Sequence, residues 1–89
     1  MNAVIKHDIP GRMRIHLRRS RLSFREADTL QYYLQGFECI NKAVVYERTA
    51  DAVISYSGSR SEIIRIIREY SPDNTDVPES FYESSAREL

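Results

Sequence analysis

The side chains of this chain that could do bond-making or metal chemistry are few: two histidines, His7 and His16, and one cysteine, Cys39. A single cysteine excludes an internal disulfide and every metal clip built from paired thiolates. Cys39 stands beside Phe37 and Ile40 and reads as a small packed hydrophobe. His7 and His16 lie nine positions apart on extended chain, which gives them opposite parity if that segment is one regular strand. Both read as surface residues. His16 with one cross-strand carboxylate would make at most a weak two-ligand metal contact, so the only metal candidate is His16 and no metal site is assigned. The chain has no GxxxxGK[ST], HExxH, GxSxG or CxxC. No catalytic residue is assigned, and the chain is not expected to be an enzyme on its own.

The most distinctive chemistry is cationic. Arg12, Arg14, Arg18, Arg19, Arg21 and Arg25 fall in one stretch that contains no acid. Such a run suits a phosphate, a carboxylate-rich protein or an anionic lipid surface, or it is simply solvated. The formal net charge is zero, but it is unevenly spread. Residues 1–70 hold 12 Lys/Arg against 8 Asp/Glu, while residues 71–89 hold one Arg against five acids. At 89 residues, 42% hydrophobic and 29% charged, the chain supports one modest core and no second domain. No apolar run approaches the roughly 20 residues of a membrane span.

The elements that must position these residues follow from periodicity. Met13, Ile15 and Leu17 alternate with Arg12, Arg14 and His16, the pattern of a strand with one apolar and one basic face. Pro10-Gly11 precedes it, and Val4-Ile5 extends it beyond a kink. Ser23-Phe24-Arg25-Glu26 spells a capping box. Phe24, Ala27, Leu30, Leu34 and Phe37 then recur at helical spacing, with Gly36 as a left-handed stop. Ile40 to Arg48 and Ala52 to Ser57 alternate again and read as a hairpin around Thr49-Ala50-Asp51. Ser59-Arg60-Ser61-Glu62 spells a second capping box, followed by Ile63, Ile64, Ile66, Ile67 and Tyr70 on a helix that ends at Ser71-Pro72. The order predicts an α+β, ferredoxin-like βαββαβ sandwich, an antiparallel sheet with two helices on one face. Its last strand, around Asp76-Val77, is short or missing. Residues 1–72 form the domain, and residues 73–89 read as an acidic, largely disordered tail or linker.

Three features together resemble a known family: Gly11-Arg12-Met13-Arg14-Ile15-His16-Leu17, the capped helix, and Arg48-Thr49-Ala50-Asp51-Ala52-Val53-Ile54-Ser55-Tyr56. Over roughly residues 4–72 the chain resembles the heavy-metal-associated-like domain at the N-terminus of bacterial heavy-metal-transporting P-type ATPases. The resemblance implies a cytoplasmic domain of an inner or plasma membrane protein. The parent would move a transition-metal cation at the expense of Mg-ATP, and this chain would hold no cofactor of its own. The tail would lead toward the first membrane segment, with Pro78 to Leu89 as the start of a helix that continues beyond it.

The departure from that family matters as much as the likeness. Its ordinary members carry a CxxC in the loop between the first strand and first helix, where two thiolates hold Cu(I) or Zn(II). Here the loop is Arg18-Arg19-Ser20-Arg21-Leu22-Ser23, whose three arginines repel a cation. The aspartyl-phosphate and nucleotide motifs of such pumps are also absent from the sequence. The resemblance therefore implies the fold and the parent, with docking rather than ion delivery as the task. The expected partner-docking surface comprises Arg12, Arg14, His16, Arg18, Arg19, Arg21 and Tyr46. Its expected partners are other cytosolic domains of the pump or an anionic membrane surface. A free-standing protein-interaction module is the alternative reading. A small RNA-binding domain is disfavoured, because Tyr46 stands alone where such sheets pair aromatics and Arg-x-Arg replaces the stacking residues.

Overall fold

The computed structural model describes residues 2–85 and 87. Its elements are β1 (Ala3–Ile9), β2 (Arg12–Leu17), α1 (Phe24–Gln35), β3 (Ile40–Tyr46), β4 (Asp51–Tyr56), α2 (Arg60–Arg68), a short 3₁₀ turn (Pro72–Asn74) and α3 (Glu79–Ser84). The four strands form one antiparallel sheet in the order β1-β2-β4-β3. Met13, Ile15, Val45, Ala52 and Ile54 face Leu30 and Leu34 of α1 and Ile63 and Ile66 of α2 in a single core. The α+β, ferredoxin-like class expected from the sequence is thus present, with α1 and α2 on one face of the sheet.

The origin of the edge strand differs from the expectation. Ala3–Ile9 is not an extension of the next strand but a strand of its own, folded back on β2. Pro10 and Gly11 make the reversal, and Gly11 has φ +82°, a backbone state open to glycine at little cost. β1 therefore occupies the edge next to β2 where a strand after α2 was sought, and the chain order is ββαββα. Pro72 and Pro78 explain why the C-terminal stretch does not compete: a proline cannot donate to a strand ladder, and the first of them opens the 3₁₀ turn.

Two register shifts shape the sheet. One lies between Ile5 and His7 of β1, the other between Ile40 and Lys42 of β3. In β1, Val4 stands opposite His16, and after the bulge His7 stands opposite Arg14 and Ile9 opposite Arg12. Opposed residues share a face of an antiparallel pair. The bulge thus brings Val4, His7 and Ile9 all to the free face and turns Asp8 toward the helices, where it meets Arg60 at the start of α2. His7 and His16, placed at opposite parity by the sequence reading, share one face because a hairpin and a bulge intervene.

Both helices start as their sequences dictate. Ser23 Oγ accepts from the Glu26 N–H and Glu26 accepts from the Ser23 N–H, the complete capping box. At α2 only half of it forms: Ser59 accepts from the Glu62 N–H. Gly36 ends α1 in a right-handed conformation, φ −76°, so it is not the left-handed stop expected. Tyr33 joins the helices by donating its hydroxyl to the Ile66 carbonyl at 2.7 Å.

Residues read from sequence as a tail fold back on the domain. Phe81 meets Tyr32 edge-on, with ring centroids 5.0 Å apart, and the Tyr82 hydroxyl lies 2.9 Å from Thr29 Oγ1. Arg87 is almost covered. It bonds Asp28, Glu47, Gln31 and the Val45 carbonyl. The segment is acidic in composition, but its two aromatic rings and this one arginine, with Glu79 on Arg25 and Ser85 on Asp28, anchor it. The remainder of the tail, residues 86, 88 and 89, lies outside the described residues.

Candidate functional site: two cationic surfaces

The alternation of β2 that buries Met13, Ile15 and Leu17 necessarily turns Arg12, Arg14 and His16 to the opposite face, which no helix covers. Their neighbours there follow from the register. Arg12 stands beside Ser55, Arg14 beside Val53, and His16 beside Asp51; on β3, Lys42, Val44 and Tyr46 complete the three rows. The free face is therefore cationic along β2, apolar at Val44 and Val53, and flanked by exposed Val4, Ile9 and Tyr46.

Asp51 organises this face. Its carboxylate accepts from Arg14 Nη2 at 3.1 Å through one oxygen and lies 2.8 Å from His16 Nδ1 through the other. Burial by itself would push the Asp51 carboxyl up. The hydrogen bonds from His16, Arg14 and Thr49 outweigh it and hold the group below its ordinary value of 3.8. Asp51 is consequently ionised at neutral pH. An ionised carboxylate only accepts, so His16 Nδ1 carries the hydrogen in this bond. The Arg14 guanidinium also stands 5.9 Å from the Tyr46 ring centroid, at the outer range of a cation–π contact. Arg14 and His16 are thus both held to one carboxylate.

The remaining arginines of the run are elsewhere. Arg18, Arg19 and Arg21 follow β2 in the loop to α1, all exposed, so the structure divides the sequence-derived docking set into two surfaces. Arg18, Arg19 and Arg25 rim a groove of about 600 Å³ between this loop, α1, the segment around Pro72 and Tyr82. Arg19 pairs with Glu26, which that arginine and Ser23 hold below the ordinary carboxylate range. Arg25 pairs with Glu79 at 3.2 Å and lies 3.9 Å over the Tyr82 ring. Among the described residues the Arg18 side chain makes no ion pair.

Asp51, which the sequence pattern places in a turn, is the member of this candidate site that sequence reasoning does not single out. No local signal marks it, because its partners come from β2, which pairs with β4 only in the fold. Cys39 is half-buried against the core. Among the described residues no three His, Cys, Asp or Glu side chains gather in a way that could hold a metal ion, and no helix is long and apolar enough to cross a membrane. No protein-family model, curated protein or solved structure matches this chain.

Proposed function

We propose that this chain is a cytosolic docking or regulatory domain of a heavy-metal-translocating P-type ATPase. It engages another cytosolic domain of the pump through the free sheet face and carries no ion itself. The assignment of the parent rests on the resemblance over residues 4–72. The observation that carries docking is the Arg14–Asp51–His16 cluster beside Tyr46, on a face that no helix among the described residues covers. Arginine and tyrosine are the residue types that dominate binding energy at protein interfaces. Fixing their rotamers in advance lowers the entropy lost on association. The partner that fits presents carboxylates to Arg12, Arg14 and Lys42 around an apolar centre that meets Val44, Val53 and Tyr46.

The test is titration of the isotopically labelled chain with the other soluble domains of the pump. Amide shifts are expected on β2, β3 and β4. Tyr46→Ala and Arg14→Gln are each expected to weaken binding by about tenfold, equivalent to ~1.4 kcal/mol. Shifts confined to other surfaces, or no binding to any domain of the pump, would refute the reading. Base-selective binding of single-stranded RNA with steep salt dependence would favour the RNA alternative instead.

A further inference from the structure

The groove between the β2–α1 loop and the C-terminal segment is separate from the free sheet face and calls for a different occupant. Its rim is cationic. Arg18, Arg19 and Arg25 line the mouth, Arg21 lies in the same loop, and Arg19 pairs with Glu26 and Arg25 with Glu79. Its floor is hydrocarbon, contributed by Leu17, Leu22 and Leu30. The first turn of α1 does not make the site, because Ser23 and Glu26 already take up donors there.

Two hydroxyls of the floor are already engaged. Thr29 Oγ1 donates to the Arg25 carbonyl at 2.8 Å and meets the Tyr82 hydroxyl, and Thr75 Oγ1 donates to the Ser71 carbonyl at 2.8 Å. Among the described residues no buried side-chain nitrogen or oxygen lacks a partner. A peptide laid over these leucines would bring backbone N–H and C=O groups to hydrocarbon that cannot pair with them, and each such group costs free energy when buried unpaired. A hydrocarbon chain brings none. Guanidinium groups in turn bind phosphate oxygens in pairs and hold them better than point charges do.

From this juxtaposition of an arginine rim and a leucine floor, we propose that the groove binds an acidic phospholipid of a bilayer surface. The phosphate is held at Arg18, Arg19 and Arg25, and the upper part of one acyl chain lies over Leu17, Leu22 and Leu30. Binding exchanges the Arg19–Glu26 and Arg25–Glu79 pairs, both solvent-exposed and individually weak, for contacts with phosphate. The site is independent of sheet-face docking, and either proposal can fail alone.

The experiment compares the whole chain on vesicles of phosphatidylcholine with vesicles of phosphatidylcholine and phosphatidylglycerol. Binding to the acidic vesicles only is expected. Arg18→Gln with Arg25→Gln should lower it by at least about tenfold. Arg12→Gln with Arg14→Gln removes the same charge from the sheet face and should cost markedly less. Arg18→Glu alone breaks no ion pair, so it serves should the double variant fail to fold. Dihexanoyl phosphatidylglycerol below its micelle concentration should shift the amides of Leu22, Thr29 and Leu30, and glycerol 3-phosphate should do so far more weakly. Three results would overturn the proposal: equal losses from the two double variants, tight binding of glycerol 3-phosphate alone, or displacement of the lipid by an acidic peptide that shifts the same amides. Absence of binding to acidic vesicles would overturn it as well.

Discussion

His16 Nδ1 and Asp51 Oδ1 lie 2.8 Å apart across the β2–β4 pair, on the face of the sheet turned away from both helices. The same carboxylate holds Arg14, and its side chain is only 9% exposed although it faces solvent across the sheet. A buried acid on an open face is costly unless it is paired, so the two basic neighbours are a condition of its presence. Under the docking proposal, the groups that satisfy Asp51 are also the ones a partner would meet.

The first prediction concerns pH. Asp51 has a folded pKa below its ordinary value of 3.8. A carboxyl depressed by folding contributes stability above its unfolded pKa, and that contribution is lost as pH falls through the folded one. Asp51→Asn should lower the stability at pH 7 by about 1–2 kcal/mol, discounted for the exposure of Arg14. The gap between variant and parent should close well below pH 3.8. Urea midpoints at neutral and acid pH check this. A gap that stays constant down to acid pH would show that the pairing is not ionic.

The second concerns the core. Leu30 is 1% exposed and Ile54 is fully buried. Truncating either to alanine should cost ~2–5 kcal/mol, more where the site cannot collapse. Phe24, expected in the same core, is only half-buried, so Phe24→Ala should cost less than either. Unfolding midpoints that rank Phe24 first would displace this account of the packing.

How much of this was legible in the sequence depends on the range of each interaction. The helices were, because Ser23-x-x-Glu26 and the Leu30–Leu34 spacing are local signals. β2 was equally clear from Met13, Ile15 and Leu17. β1 was not, since the bulge between Ile5 and His7 interrupts its alternation and Pro10-Gly11 looks alike as a strand start and as a hairpin turn. Asp51 acquires its role only once β4 lies beside β2, 35 residues away in sequence from His16. Arg87 reaches Asp28 across 59 residues, a contact no periodicity announces.

That contact carries the third prediction. Asp28 and Arg87 have side chains 6% and 14% exposed, and Ser85 also donates to Asp28 at 3.0 Å. Removing the cation leaves a covered carboxylate with one hydroxyl. Arg87→Met should destabilise the chain by about 3 kcal/mol. In the Asp28→Asn background the same change should cost clearly less, because the charge it compensates is gone. Equal costs in the two backgrounds would mean that Arg87 acts through Glu47 and Val45 rather than Asp28.

The fourth uses two glycines that look alike in sequence. Gly11, at φ +82°, sits where an L side chain is strained, and an added Cβ would lie 3.5 Å from the Tyr56 carbonyl oxygen. Gly11→Ala should cost about 1–2 kcal/mol and loosen the β1–β2 hairpin. Gly36 has a helical backbone, and its added Cβ would meet the Tyr33 carbonyl oxygen at 3.3 Å. There the gain in helix propensity and the tight contact oppose each other, so Gly36→Ala should change stability by less than about 0.5 kcal/mol. Amide exchange along β1 distinguishes the two. Faster exchange in the Gly36 variant than in the Gly11 variant would contradict the turn assignment.

The last prediction returns to His16 and metal. With Nδ1 engaged by Asp51, a cation can reach this ring only through Nε2, and it would meet the charge of Arg14 on the same face. His7 shares that face but stands opposite Arg14 rather than opposite His16. One imidazole beside a guanidinium, with the second standing at another position of the sheet, falls short of the three or four ligands that hold Zn(II). Titration with Zn(II), and with Cu(I) under reducing conditions, should therefore give weak, non-stoichiometric binding. His16→Ala should leave the weak uptake nearly unchanged while it loosens Arg14, which an upward shift of the Asp51 titration by carboxyl NMR would report. The opposite pattern, a tight stoichiometric complex that survives Cys39→Ser and vanishes in His16→Ala, would make His16 a ligand and overturn the docking proposed for this face.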